Sequence, residues 1–384
     1  MRHVVGLIVV LVAAGCGERA TPADPGVVVA PAGLVTAALV GDVAFIGGVG
    51  VAYVPHGDSL LRLDPASPQY RSAVWLANAR ELGLVEWDAQ SRFVLRTFDS
   101  TGLERRRVAL DSISGAFGGM QFWLDGLTGI AAPRGSDVIA WGGRYAGALP
   151  FPGSLFIYSS AGAARVVPGA ELPCIAPDGS ANGLLVTSTA PADAFSSAPY
   201  VLRELDAGSG QFGRRLMLDS NQNGCSKPVS TSDGIYVQAG REIVRVRRAD
   251  FTEEWRVTTG SGFLLAASPD GSLLFAVQAV PDPLYPGRAY VYSRSGAVVT
   301  SFWIGPVALA AARGADFLSR VSAVAWSADG RALLLASQWS NRVSFGQFPF
   351  GFGRIVKLDA TTGAEVARGR LADNAAIVDL VPLR

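Results

Sequence analysis

Histidine is nearly missing from this chain: of two, His3 sits in an N-terminal leader, which leaves His56 as the only imidazole in the body. A zinc or copper centre built from several imidazoles within one chain is therefore excluded. A Ser-His-Asp machine would have to use His56, which lies in the turn VPHGDS and reads as a solvated turn residue. No G-x-S-x-G elbow, Walker loop or H-E-x-x-H helix is present. Lysine is equally rare, with only Lys227 and Lys357. The net charge of +1 includes Arg2 of the leader, so the exported chain is close to neutral and generates no field for polyanions. The densest basic cluster, Glu104-Arg105-Arg106-Arg107, reads as a solvated outer strand, and no nucleic-acid partner is expected. No stretch holds the roughly 18 consecutive apolar residues that a spanning helix needs. What is abundant is apolar side chain, 49% against 17% charged, which excludes a disordered chain.

The leader is a processing signal. Arg2 and His3 precede the apolar run Val4 to Val12, which ends in Ala13-Ala14-Gly15-Cys16. That end resembles the lipobox of bacterial lipoproteins, with Ala13 where the usual residue is Leu. The alternative is an ordinary secretory signal that happens to contain Cys16. The resemblance implies that residues 1–15 are removed and that Cys16 is acylated. Residues 16–30 then form a flexible tether, and 31–384 form the folded body facing the periplasm or the exterior. Gly17 stands where an Asp would retain a lipoprotein at the inner membrane, which favours the outer membrane. Export would place the remaining cysteines, Cys174 and Cys225, in an oxidising compartment, where an even pair is expected to form a disulfide. Closing that loop would stabilise by roughly 2–4 kcal/mol.

An internal repeat organises the body. The last complete unit, Val321 to Arg370, reads VSAVAWSADGRALLLAS and then RIVKLDATTGAEVARGR. These are four short apolar runs joined by Gly-bearing turns, an up-and-down four-stranded sheet. Second hairpins of this kind are expected at LLRLDPASPQYRSAV, VLRTFDSTGLERRRV, LFIYSSAGAARVV, VLRELDAGSGQFGRRLML, EIVRVRRADFTEEWRV, AYVYSRSGAVVTSFW and the Gly363 unit. First hairpins recur at residues 132–141, 174–188, 230–238, 268–277 and 326–337, with a poor one at LVEWDAQSRFVLRTF. The first unit lacks an opening strand, and AAIVDLVPL (375–383) opens a unit that nothing completes. The expected fold is thus all-β: one β-propeller of seven four-stranded blades, closed by the C-terminal strand joining blade one. Six or eight blades and a tandem of sandwiches are the alternatives.

SPDGSLLFAV is similar to the turn shared by WD40-like and lactonase-like propellers. LDATTG and LDAGSG, with Trp255 nearby, resemble the quinoprotein-type hairpin. The resemblance implies a fold rather than a reaction. Trp87-Asp88 is the only W-D pair, and the adjacent Cys pair and acid–base set of a quinone-cofactor enzyme are missing. In architecture and anchor the chain resembles a propeller lipoprotein that acts as a scaffold in outer-membrane barrel assembly.

The sequence offers two candidate sites. Asp219, Asn221 and Asn223 match the first half of a calcium loop, but position twelve is Ser230, so a polar turn is the plainer reading and no cofactor is expected beyond a possible Ca²⁺. Long aromatic connections between second and third strands, and between units, should gather on one rim of a propeller. They carry Phe122, Trp123, Tyr145, Phe151, Phe195, Tyr285, Trp339, Phe345, Phe348, Phe350 and Phe352. Such a face would bind an envelope protein or a glycan, unless the loops fold inward to plug a channel. The expected function is a non-catalytic binding or scaffold protein with no catalytic residue. The alternative is a lactonase- or esterase-like hydrolase with a carboxylate or calcium site at the channel mouth.

Overall fold

Strand-forming runs separated by Ser-x-Asp-Gly and Gly-bearing turns build seven sheets among the described residues, each on four antiparallel strands and one with a fifth strand added. The computed structural model describes residues 33–47, 51–64, 70–87, 93–109, 124–132, 139–145, 153–158, 164–167, 173–177, 184–189, 200–206, 208–218, 227–260, 262–279, 287–304, 317–340, 352–373 and 375–384. The first sheet takes Ile377–Pro382 as its leading strand, followed by Val43–Gly47, Ala52–His56 and Ser59–Leu63. The second holds Tyr70–Leu76, Glu81–Trp87, Phe93–Phe98 and Glu104–Ala109. The third holds Leu124–Ala131, Ile139–Tyr145, Gly153–Tyr158 and Ala164–Val167, and the fourth Pro173–Pro177, Leu184–Thr189, Tyr200–Asp206 and Phe212–Leu218. The fifth holds Val229–Ser230, Gly234–Ala239, Glu242–Arg247 and Thr252–Thr258, and the sixth Phe263–Ala267, Leu273–Gln278, Gly287–Ser293 and Val298–Ile304. The seventh holds Phe317–Trp326, Ala332–Ser340, Phe352–Asp359 and Glu365–Arg370.

The C-terminal run pairs as expected: Val43 lies opposite Pro382 and Phe45 opposite Leu380, antiparallel. Two of the sequence assignments need correction. LLRLDPASPQYRSAV is no hairpin, because Ser59–Leu63 and Tyr70–Leu76 belong to different sheets. The true last hairpin of the first sheet pairs His56 with Ser59 around Gly57-Asp58. The second sheet likewise has a full first hairpin, Tyr70–Leu76 with Glu81–Trp87, where Leu76 faces Glu81. Arg80 turns that corner with a left-handed φ of 53°, a conformation normally left to Gly or Asn, which hid the turn in the sequence.

The Ser-x-Asp-Gly turns hold themselves with local bonds. Ser268 and Ser327 each donate a hydroxyl to the Asp two residues on, at 2.6 Å, and accept the N–H of Leu273 or Ala332 at 2.9 Å. Thr231 repeats the pattern with Asp233 and the Gly234 N–H. Successive turns also touch: Gly271 rests on Thr231, Gly330 approaches Pro269, and the Ala328 N–H reaches the Asp42 carboxylate.

A second repeated device joins neighbouring sheets. The last hairpin turn of one sheet settles on a side chain of the sheet before it, and a ring or guanidinium there binds a turn carbonyl. Trp255 lies under Gly296 and donates Nε1–H to the Arg294 carbonyl at 2.9 Å. Arg214 donates to the Ala249 carbonyl at 2.8 Å beside Phe251, and His56 donates Nδ1–H to the Ser100 carbonyl at 3.0 Å where Gly102 covers Leu61. Gly363 presses on the Phe302 ring without a polar bond.

Between the seventh and first sheets the N-terminal segment takes this role. Gly33–Leu34 adds to the outer edge of the seventh sheet in parallel, Gly33 opposite Gly369. Thr36 then caps the short helix Ala37–Val40 by accepting the Leu39 N–H. Val35, Leu39 and Val40 fill the core between the two sheets with Phe45, Leu334, Ile355, Ile377 and Leu380. Gly369 has to be glycine for this, since a Cβ there would lie 2.8 Å from the Val35 Cα.

Candidate functional site

The leading strands of the seven sheets lie against one another in sequence. The first strand of the second sheet touches that of the third, and so on through the seventh, whose leading strand touches Ile377–Pro382 of the first. Ile377–Pro382 in turn touches Tyr70–Leu76 of the second. Trp326, fully buried, ties the seventh sheet to the sixth through Nε1–H and the Ala266 carbonyl at 2.9 Å. Ser322 ties it to the first by donating to the Ile377 carbonyl.

Asp379 lies on Ile377–Pro382, which touches the leading strands of the second and seventh sheets and is otherwise apolar. Burial pushes its carboxyl above the usual Asp range. The Lys227 ammonium, from just before the leading strand of the fifth sheet, pulls it back, as do the N–H groups of Leu380 and Ala73. Asp379 nevertheless keeps part of its surface accessible, and its neighbour Val378 is 39% exposed. Asp379 thus draws a backbone N–H from the second sheet as well as its own, and feels the charge of one of the chain's two lysines. Other buried carboxylates are matched directly by arginine: Glu86 by Arg96 and Glu204 by Arg214. The sequence signal for Asp379 was there, a lone acid in the apolar run AAIVDLVPL, but nothing in that run told which way it faced.

A group whose folded pKa is raised binds its proton more tightly in the folded state. Its contribution to stability is therefore full below the unfolded Asp value and lost as pH rises through the folded value. Asp379→Asn should accordingly be more stable than wild type at neutral pH and should lack the fall in stability above about pH 4. Denaturant midpoints measured across pH for both proteins check this. A variant less stable than wild type at pH 7 would show that the charged form is well compensated.

No protein-family model matches the chain, and no curated protein is detectably similar to it. The site is therefore read from its own chemistry.

Of the expected aromatic face, Tyr145, Trp339 and Phe352 lie on described strands, each at the end where the second strand hands over to the third. Trp339 and Phe352 are direct cross-strand partners. Phe122, Trp123, Phe151, Phe195, Tyr285, Phe345, Phe348 and Phe350 lie outside the described residues. So do Cys16, Cys225, Asp219, Asn221 and Asn223, while Cys174 stands opposite Ser188 in the fourth sheet. Among the described residues no group of three or more His, Cys, Asp and Glu is placed to hold a metal ion, and no helix is long and apolar enough to cross a membrane. His56 is exposed as expected, but its ring fastens the first sheet to the second.

Proposed function

We propose that the seven sheets are the blades of a single closed β-propeller, exported and lipid-anchored through Cys16, that works as a non-catalytic binding scaffold in the bacterial envelope. The observation that carries this reading is the cyclic order in which leading strands touch, with Ile377–Pro382 between the second and seventh sheets. In antiparallel four-stranded blades arranged this way, the connections from second to third strand and from blade to blade emerge at one end. The long connections 146–152, 190–199, 280–286 and 341–350 then share that end with the inter-blade segments 110–123 and 305–316. A rigid ring presenting variable aromatic loops at one end suits recognition of another envelope protein or a glycan.

The test is crosslinking and affinity capture from envelope extract with the wild-type lipoprotein and with a variant whose 341–350 connection is replaced by a short Gly-Ser turn. The backbones at positions 339 and 352 are already paired in register across that hairpin, so the variant should fold. Loss of a captured partner at unchanged thermal stability supports the reading, and an identical capture profile counts against the loop face.

A further inference from the structure

The outermost strands of the seven sheets differ in one respect. Arg62, Arg106, Arg165, Arg214 and Arg256 stand on the outermost strands of the first to fifth sheets, and Arg368 on the last antiparallel strand of the seventh, which the two-residue strand Gly33–Leu34 covers. Val298–Ile304 of the sixth sheet reads VVTSFWI and carries no charge at all. Charged side chains on an edge strand are what keeps it from pairing with another chain. This edge lacks them, and it is also apolar where it meets solvent: Val298 is 53% exposed, Val299 57% and Trp303 50%. Among the described residues no strand occupies its outer side, whereas the outer side of the seventh sheet is taken by Gly33–Leu34.

We propose that Val298–Ile304 is a self-association edge, pairing antiparallel with the same strand of a second copy about a two-fold axis at Ser301. Its side chains are self-complementary in that register. Exposure alternates along the strand, with Val299, Ser301 and Trp303 outward and Thr300 and Phe302 partly covered. A two-fold axis at Ser301 sets Val299 of each copy opposite Trp303 of the other, and β-branched against aromatic is a favourable cross-strand pair. No like charges meet, because the strand has none. Trp303 is held for the purpose: Arg288, its cross-strand neighbour, stacks over the indole at 4.3 Å and donates to the Tyr290 hydroxyl at 3.2 Å. Pairing of this kind uses the same patch on both copies, so it closes at a dimer and does not propagate. The inference needs neither the propeller reading nor the lipid anchor.

The experiment uses the full-length protein extracted in detergent. Sedimentation velocity across a concentration series should show a monomer–dimer equilibrium for wild type and loss of the dimer for Ser301→Lys, which sets two ammonium groups face to face on the axis. Ser301→Cys, an isosteric change at an exposed position, should form a covalent dimer under mild copper-phenanthroline oxidation. Thr258→Cys, exposed on the arginine-bearing edge strand of the fifth sheet, should not, and wild type controls for the native cysteines. A wild type that stays monomeric at every concentration overturns the proposal, whether or not a strand of another protein uses this edge. Equal crosslinking of Ser301→Cys and Thr258→Cys overturns it too.

Discussion

Replacing Gly363 by valine is expected to cost about 3 kcal/mol of stability. Two separate penalties combine. Gly363 has a φ of 71°, where an L side chain costs roughly 1–2 kcal/mol and a β-branched one is worse placed still. A Cβ there would also penetrate the Phe302 ring, and that ring is stacked on Phe275 at 6.2 Å within the core between the sixth and seventh sheets. Overpacking of a filled core adds about 1–3 kcal/mol. Urea denaturation of Gly363→Ala, Phe302→Ala and the double variant separates the two. Truncating Phe302 should relieve the clash and leave the backbone term, so the single changes should be strongly non-additive. Simple additivity would mean that the turn moves off the ring at little cost.

The second large effect is expected at Arg96. Its guanidinium meets Glu86 at 3.1 Å and Glu104 at 2.7 Å and donates to the Asp64 carbonyl of the first sheet at 3.2 Å. Glu86 is fully buried and the Arg96 side chain only 10% exposed. Removing one partner of a buried pair leaves charge in a poorly solvated place, so Arg96→Met should destabilise by about 3–5 kcal/mol. Adding Glu86→Gln should recover a good part of that, since the neutral amide tolerates burial better. The acid limb of the stability curve supplies a second readout. Arg107, then Arg96, hold the Glu104 carboxyl below its ordinary range. A lowered folded pKa contributes stability that is present above the unfolded Glu value and lost as pH falls through the folded one. Wild type should therefore weaken with acid, and Arg96→Met should weaken less over the same range. A parallel decline in both proteins would assign the effect to other carboxylates.

The repeat was legible where turns are closed by local bonds. Ser268-Pro269-Asp270-Gly271 and Ser327-Ala328-Asp329-Gly330 announce themselves because each residue type is needed for a bond made within five residues. The pairing of the C-terminal run with Val43–Gly47 was legible as well, as an opening strand without a unit behind it. The boundary of the first sheet was not. Pro65 to Gln69 has the composition of a hairpin turn, and composition does not tell a turn inside a sheet from a crossing between sheets. The clasps at His56, Arg214 and Trp255 depend on which sheet packs against which, as does the convergence of Ala73 and Lys227 on Asp379. Such contacts are tertiary, and no local pattern encodes them.

Pairing residues 43–47 with 377–382 joins opposite extremes of the chain, and that has a kinetic side. Loop-closure entropy grows only logarithmically with length, so the equilibrium penalty is modest, but non-local pairings of this sort form late. During synthesis, the strand carrying Phe45 must wait for its neighbour while the other sheets can already assemble. In that interval its bare backbone could recruit the matching terminal segment of a different molecule, so strand-exchanged multimers are the misfolding route most open to this protein.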